Sequence, residues 1–248
     1  MQQEKIEARF VGGCVRDAIL GRCTKDYDIA VNSPIDRFAN IMNEYNISYS
    51  DKWIKYGALK VLVDKVEFDV VALRRDVDCS GRDCSVESIS SFEEDSKRRD
   101  FTINALYASA NGEIFDYNDG LKDLKNREVI FVGDPEKRIV EDNVRILRYY
   151  RFCSRMNDHS ARYSDIMKKH ARLVQNIPKD RIRKELLEII NNAEIVNLMY
   201  SDKTLQMLTS STVDIDSFNG IVSANASYSE RLRALFPRDQ SLLRLAYY

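Results

Sequence analysis

The sequence predicts two units: an α+β unit over 1–132, built as a mixed sheet with helices, and an all-helical unit over 133–248. Three observations carry this. Short apolar or β-branched runs of strand length are confined to the first 132 residues. From Pro135 onward apolar residues recur at helical spacing. The 248 residues include only 9 Gly and 4 Pro, too few for a turn-dense all-β chain.

Taken in order, Ala8–Val11 is a short apolar run ending at Gly12-Gly13, and Cys14–Leu20 reads as a helical turn or two. Tyr27–Val31 is strand-like. Ser33 is a candidate cap, with Pro34 in the first helical turn, and Phe38, Ile41, Met42 and Tyr45 keep helical spacing. Leu59–Val63 and Val66–Ala72 flank Asp64-Lys65 and read as a hairpin. Asp76–Ser91 shows no period and reads as a loop. Arg99–Ala108 reads as a helix, and Glu113–Tyr117 and Val129–Val132 read as short strands. Beyond Pro135, helices are expected over Glu136–Arg155, Ser164–Asn176 and Asp180–Asn191. Shorter ones follow around Leu205–Leu208, Glu230–Phe236 and Gln240–Ala246.

Composition excludes several classes. With 44% hydrophobic residues, 13 Tyr and 10 Phe, the chain is not disordered. No 18-residue apolar run occurs, and the opening Met-Gln-Gln-Glu-Lys-Ile-Glu has no hydrophobic signal core, so a cytoplasmic protein without a membrane partner is expected. Five cysteines without paired C-x-x-C spacing read as reduced thiols. The net charge of −1 hides an asymmetry: residues 1–119 hold 16 Lys+Arg against 22 Asp+Glu, residues 120–190 hold 17 against 11. An acidic half followed by a basic segment suits a metal-using enzyme acting on a polyanion, although solvated helix faces produce such a pattern too.

Gly12-Gly13-Cys14-Val15-Arg16-Asp17 follows a strand and opens a helix, where backbone N–H groups and Arg16 are suited to phosphate oxygens. A Gly pair also marks an ordinary tight turn. Asp26 and Asp28 stand at i, i+2 on a strand and share a side, and paired carboxylates suit Mg²⁺. Exposed strand-end acids give the same spacing. Asp69 is a third candidate carboxylate if Val66–Ala72 lies alongside, and a half-exposed structural Asp fits as well.

These stretches resemble a known family. Residues 12–17 with Lys25-Asp26-Tyr27-Asp28 resemble the first signature of the polymerase-β-like nucleotidyltransferases, in the branch of the class II CCA-adding enzymes and bacterial poly(A) polymerases. Arg98-Arg99-Asp100-Phe101-Thr102-Ile103-Asn104-Ala105-Leu106 resembles the second, and Asp116 to Gly120 with Asp123-Leu124 the third. Glu141-Asp142-Asn143-Val144-Arg145-Ile146-Leu147-Arg148 resembles the fourth, and Arg181-Ile182-Arg183-Lys184-Glu185 the fifth. The resemblance implies a nucleotidyltransferase head followed by a helical neck and body. The implied activity is the addition of C, C and A to tRNA 3′ ends from CTP and ATP. Asp26 and Asp28 would hold two Mg²⁺ ions, with Asp69 as a further catalytic carboxylate. Gly12, Gly13 and Arg16 would cradle the triphosphate, and Arg98, Arg99, Asp100 and Asn104 would contact phosphate and ribose.

If Glu136–Arg155 is one helix, Asp142, Arg145, Arg148, Arg151 and Arg155 share a face. An ionised Asp only accepts hydrogen bonds and an Arg only donates. Cytosine and adenine both pair an amino donor with a ring-nitrogen acceptor, whereas uracil and guanine reverse that order. The family uses its fourth signature as a protein template in this way, so Asp142 and Arg145 would read the base. Arg148 and Arg151 would support the nucleotide, and Arg181 and Glu185 would brace the helix. The loop between Arg74-Arg75 and Glu94-Asp95 is close to the length that the family needs for the switch to adding A.

Two departures stand out. Asp119-Gly120 replaces a Gly pair of the third signature, which bears on hinge flexibility. Relatives also continue further, so a tail domain is expected to be absent, with a homodimer as one way to supply the grip on tRNA. Within the class the rivals are an A-adding enzyme and a bacterial poly(A) polymerase. Outside it, the rival is a catalytically inactive RNA-binding relative.

Overall fold

The computed structural model describes residues 6–80, 83–222, 226–239 and 242. The chain divides into two units, Met1–Asn126 with Ile130–Gly133, and Arg127–Val129 with Asp134–Tyr248.

The first unit is organised by strands β1 (Ala8–Val11), β2 (Tyr27–Val31), β3 (Ser48–Ser50), β4 (Ala58–Val63), β5 (Val66–Ala72), β8 (Leu106–Ala108) and β9 (Ile114–Asp116). They form a seven-stranded sheet in the order β3-β4-β5-β2-β1-β8-β9. β2 and β5 run parallel and the other described pairs antiparallel. Helix α2 (Ile35–Glu44) lies in the connection that leaves β2. Its Ile35, Ala39 and Met42, at helical spacing, pack with Val31, Leu59, Val61 and Val70. The other face of the sheet carries a second cluster of Val11, Ala30, Leu73, Phe92 and Tyr107. Ala30 and Val31 are both fully buried yet belong to opposite clusters, as alternation along a strand requires.

The Asp64-Lys65 hairpin forms as expected, with both residues at positive φ (49° and 68°), the pattern of a two-residue turn matched to strand twist. Helix α1 (Gly13–Ile19) begins at the second glycine of the pair, with Gly12 as its N-cap. Pro34 itself is the N-cap of α2, and Ser33 supplies no capping bond to the helix.

Three segments depart from the sequence reading. Asp76–Ser91 is largely a ribbon of β6 (Arg74–Ser80) and β7 (Asp83–Ser88), a two-stranded sheet of its own. A two-stranded ribbon outside the main sheet needs no buried face of its own, and its sequence shows no apolar alternation. The segment read as a helix over Arg99–Ala108 is a single 3-10 turn (Thr102–Asn104) leading into β8. Phe101, Ile103, Ala105, Leu106 and Tyr107 are all fully buried, and burial on every side removes the signal that separates helix from strand. Val129–Val132 contributes one bridge, Phe101 to Phe131, rather than a strand. Helices α3 (Phe92–Ser96) and α4 (Gly120–Asn126) complete the unit.

The second unit is helical: α5 (Pro135–Glu141), α6 (Val144–Met156), α7 (Ser164–His170), α8 (Lys179–Ile189), α9 (Ala193–Ser201), α10 (Thr204–Leu208), α11 (Ile215–Val222) and α12 (Tyr228–Leu235). A 3-10 turn, Ala171–Asn176, extends α7. The core of this unit includes Ile146, Leu147, Tyr150, Ile189, Ile195, Leu205 and Phe218, all 1% exposed or less. Asp202, fully buried after α9, accepts from Tyr150 Oη at 3.0 Å and from Ser164 Oγ. The expected continuous helix over Glu136–Arg155 is instead two. Asp142 is extended (φ −144°, ψ 104°), its Oδ1 taking the Val144 N–H at 3.2 Å, while Asn143 Nδ2 donates to the Ile139 carbonyl. These local side-chain bonds compete with the helical ladder and break it. The segment read as helical over Gln240–Ala246 lies outside the described residues except for Leu242.

Candidate active site

Asp28 and Asp69 face each other across the parallel β2–β5 ladder, directly in register. Paired residues point to one side of a sheet, so both project from the face that carries Ala30 and Val71. Asp26 immediately precedes β2 and is exposed. Lys60, opposite Asp69 on β4, pairs with it at 3.0 Å. Burial, followed by the negative charges of Asp69 and Asp26, pushes the Asp28 carboxyl above the usual carboxylate range, against the pull of Arg99 and Lys60. Asp28 and Asp69 are thus drawn together, whereas Asp26, expected to share the strand with Asp28, stands just before it and acts on Asp28 through its charge. Among the described residues no three His, Cys, Asp or Glu side chains form a ready metal cage. Two carboxylates completed by substrate phosphates are nonetheless an ordinary Mg²⁺ donor set, and the mutual repulsion around Asp28 is what a cation relieves.

The Gly pair stands beside this cluster, since β1 pairs with β2 and carries it past Ile29 to Gly12. Gly12 has φ 74°, ψ −124°, a backbone that side-chain-bearing residues rarely adopt. A Cβ there would come to 3.6 Å from Arg99 Nη1 and 3.5 Å from the Asn104 carbonyl oxygen. Gly12 N–H donates to the Leu106 carbonyl at 3.0 Å, joining the first signature to the second.

Beneath the turn lies a chain of buried polar groups. Arg16 is 3% exposed and donates through Nε and Nη2 to both oxygens of Asp17 at 3.0 and 2.9 Å, and through Nη1 to Asn104 Oδ1. Asn104 Nδ2 donates to Asp100 Oδ1 at 3.1 Å, which also takes the Phe101 N–H at 2.8 Å. Arg16, Asp100 and Asn104 therefore form the frame under the Gly turn, a buried position for residues that the resemblance assigns to phosphate and ribose. Arg98 and Arg99 are only partly buried and are oriented by Asp95.

Asp95 was not singled out from the sequence. It is fully buried, and burial alone would raise its pKa, but Arg99 and Arg98 hold it below the usual range. Its signal was present: Asp95 precedes Arg98 and Arg99 by three and four residues, the spacing of helical ion pairs.

Asp116 caps α4, accepting from the N–H groups of Gly120 at 3.0 Å and Leu121 at 2.9 Å. Gly120 is obligatory, for a Cβ would stand 2.3 Å from the Thr102 carbonyl oxygen. Asp119, where the family has glycine, adopts the left-handed φ of 58° that glycine takes without strain.

In the second unit, Arg145 Nη1 donates to Glu141 Oε2 at 2.8 Å and to the Arg138 carbonyl at 2.9 Å. Arg138 pairs with the same Glu141. Asp142 therefore precedes α6 instead of sharing its face, and only Arg145, Arg148, Arg151 and Arg155 form the helical row. Arg151 donates to Glu185 on α8 at 2.5 Å and lies 4.2 Å from the Phe152 ring centre, while Arg148 lies 5.5 Å from that ring. Arg181 is exposed.

The chain is similar to known proteins in sequence and in fold. Residues 8–130 match the family model described as the poly A polymerase head domain. The mitochondrial CCA tRNA nucleotidyltransferase 1 of Danio rerio is 33% identical over 80% of this chain and 48% of its own. The CCA-adding enzyme of Levilactobacillus brevis is 36% identical over 77% of this chain and 48% of its own. The chain thus spans about half the length of these curated relatives. The fold matches that of the Bacillus stearothermophilus CCA-adding enzyme in complex with CTP. That likeness has a TM-score of 0.71 at 24% identity and covers 98% of this chain and 65% of that one. With its signatures, its head-domain sheet and these relatives, the chain belongs to the family of the class II CCA-adding enzymes and bacterial poly(A) polymerases.

Proposed function

We propose that this chain is a template-independent tRNA nucleotidyltransferase that adds C, C and then A to tRNA 3′ ends, using CTP and ATP and releasing pyrophosphate. The observation that carries the reading is the in-register pair Asp28 and Asp69, with Asp26 beside them and the Gly12 turn at the end of the adjoining strand. The names of the curated relatives support tRNA as the acceptor.

Asp26 and Asp28 are the residues that would hold two Mg²⁺ ions. Bound magnesium supplies positive charge that eases loss of the 3′-hydroxyl proton and neutralises departing pyrophosphate. Asp69, held by Lys60, adds the third carboxylate. The backbone at Gly12 and Gly13 together with Arg98 and Arg99 binds the triphosphate, and Arg16, Asp100 and Asn104 keep that turn in shape. Asp142 and Arg145 select the base by polarity: the carboxylate takes the amino group of cytosine or adenine and the guanidinium donates to the ring nitrogen. A desolvated charge facing the reversed pattern of uracil or guanine costs about 1–3 kcal/mol or more. Arg145 must turn from Glu141 toward the base for this, and Glu141 is the partner that holds it until then. Arg148 and Arg151 support the nucleotide, with Glu185 bracing Arg151.

The test uses tRNAs ending at the discriminator base, at C and at CC, each incubated with Mg²⁺ and one NTP, with product length read on a gel. CTP extending the first two and ATP the third is the expected pattern. Addition of A alone to the CC-ending tRNA marks an A-adding enzyme, and long A tails mark a poly(A) polymerase. RNA binding without extension by any NTP marks an inactive relative and overturns the proposal.

A further inference from the structure

Asp95 occupies an unusual position in the head. Its carboxylate is fully buried and each oxygen accepts two hydrogen bonds. Oδ1 takes Arg98 Nε at 2.8 Å and the backbone N–H of Arg74 at 3.2 Å. Oδ2 takes Arg99 Nη2 at 2.9 Å and Tyr107 Oη at 2.6 Å. Arg99 Nε in turn donates to Tyr107 Oη at 3.1 Å, closing a triangle of Asp, Arg and Tyr. Tyr107, on β8, is itself fully buried, so the triangle is anchored in the sheet. Two consequences follow from geometry. The Arg99 guanidinium is fixed with Nη1 against the Gly12 turn, 3.6 Å from where a Cβ would stand. The first residue of β6 is bonded to the same carboxylate, so the root of the ribbon and both arginines share one anchor.

We propose that Asp95 is a positioning residue for triphosphate binding: it aims Arg98 and Arg99 at the phosphate site beside Gly12 and locks them to the root of the β6–β7 ribbon. This rests on the reading of that turn as a nucleotide site. Asp95→Asn keeps the size of the side chain and removes the charge that draws two guanidinium groups into line. Tyr107→Phe removes one hydroxyl from the triangle and leaves the ring packing in place.

The measurement is calorimetric binding of CTP, and of inorganic tripolyphosphate as a probe without base or ribose, each with Mg²⁺. The wild-type chain and both variants are compared, and thermal unfolding is followed alongside. Asp95→Asn is expected to weaken both ligands by the same factor, about tenfold or more, and Tyr107→Phe by a smaller factor in the same direction. Amide exchange at Arg74 is expected to accelerate in Asp95→Asn. A loss of thermal stability with tripolyphosphate affinity unchanged overturns the proposal, because a purely structural anchor behaves that way. Failure of the wild-type chain to bind tripolyphosphate overturns it too. If the wild type binds both ligands and Asp95→Asn weakens them, yet no NTP extends tRNA, the proposed activity falls and the positioning role stands.

Discussion

Asp28 sits opposite Asp69 and next to Asp26, and its pKa, raised first by burial and then by those charges, has a thermodynamic consequence. Between the ordinary carboxylate value and the raised one, the folded chain holds more protons than the unfolded chain, so its contribution to stability falls as pH rises through that window. Asp28→Asn removes this slope. Without divalent ions the variant should melt higher than the wild type at neutral pH, while nucleotide transfer is lost. Matched thermal scans near pH 4 and pH 7 check the sign, and a variant that melts lower at both would refute it. Gly120 is the opposite kind of residue, needed for what it lacks. Gly120→Ala forces a Cβ onto the Thr102 carbonyl and should cost about 2 kcal/mol or more, read as a lowered denaturant midpoint with unchanged slope. That Asp69 could join Asp28 was legible from a second strand expected to lie alongside; the parallel direction of that strand, and the place of Asp26 just before β2 and not on it, were not. The buried role of Arg16 was not, since nothing in the sequence says that Asn104, 88 residues away, takes its guanidinium.

At the level of elements, the break between α5 and α6 is the most informative departure. An E-D-N sequence inside a helical period contains two side chains able to bond the backbone locally, and both do so. Arg145, first on α6 after its N-terminal residue, is held by Glu141 at the end of α5. Arg145→Ala should therefore loosen base choice, with UTP or GTP incorporated at least tenfold more readily relative to CTP. Single-nucleotide incorporation assays read this directly, and unchanged selectivity would remove the template role. The β6–β7 ribbon escaped the sequence reading for a different reason. Its Arg75 pairs with Glu87 across the ladder, and the neighbouring Val86 is exposed, so no apolar alternation marks the strand. Deleting most of 81–88 should leave the melting temperature within about 2 °C, because the ribbon's ladder is separate from the seven-stranded sheet. Addition should then stop after two cytidines. Normal A addition by the deletion variant would show the ribbon to be dispensable.

Across the whole molecule, the mixed sheet of the first part and the helices of the second were legible from where β-branched runs stop and helical period begins. The charge pattern has a measurable counterpart. Residues 120–190 hold 17 Lys+Arg against 11 Asp+Glu, whereas the preceding 119 residues are acidic. Binding of tRNA should weaken steeply between about 50 and 200 mM salt, as phosphate contacts by arginine and lysine release counterions. Filter binding across that range checks it, and a flat response would remove the polyanion reading of the basic segment. Among the described residues no helix is long and apolar enough to cross a bilayer.

The separateness of the β6–β7 ladder has one more implication. Strands paired only with each other can lengthen or shorten by matched residues while the register of the larger sheet stays fixed. A change of length in that appendage therefore costs the fold little, so its effect is read in the last nucleotide added and not in stability.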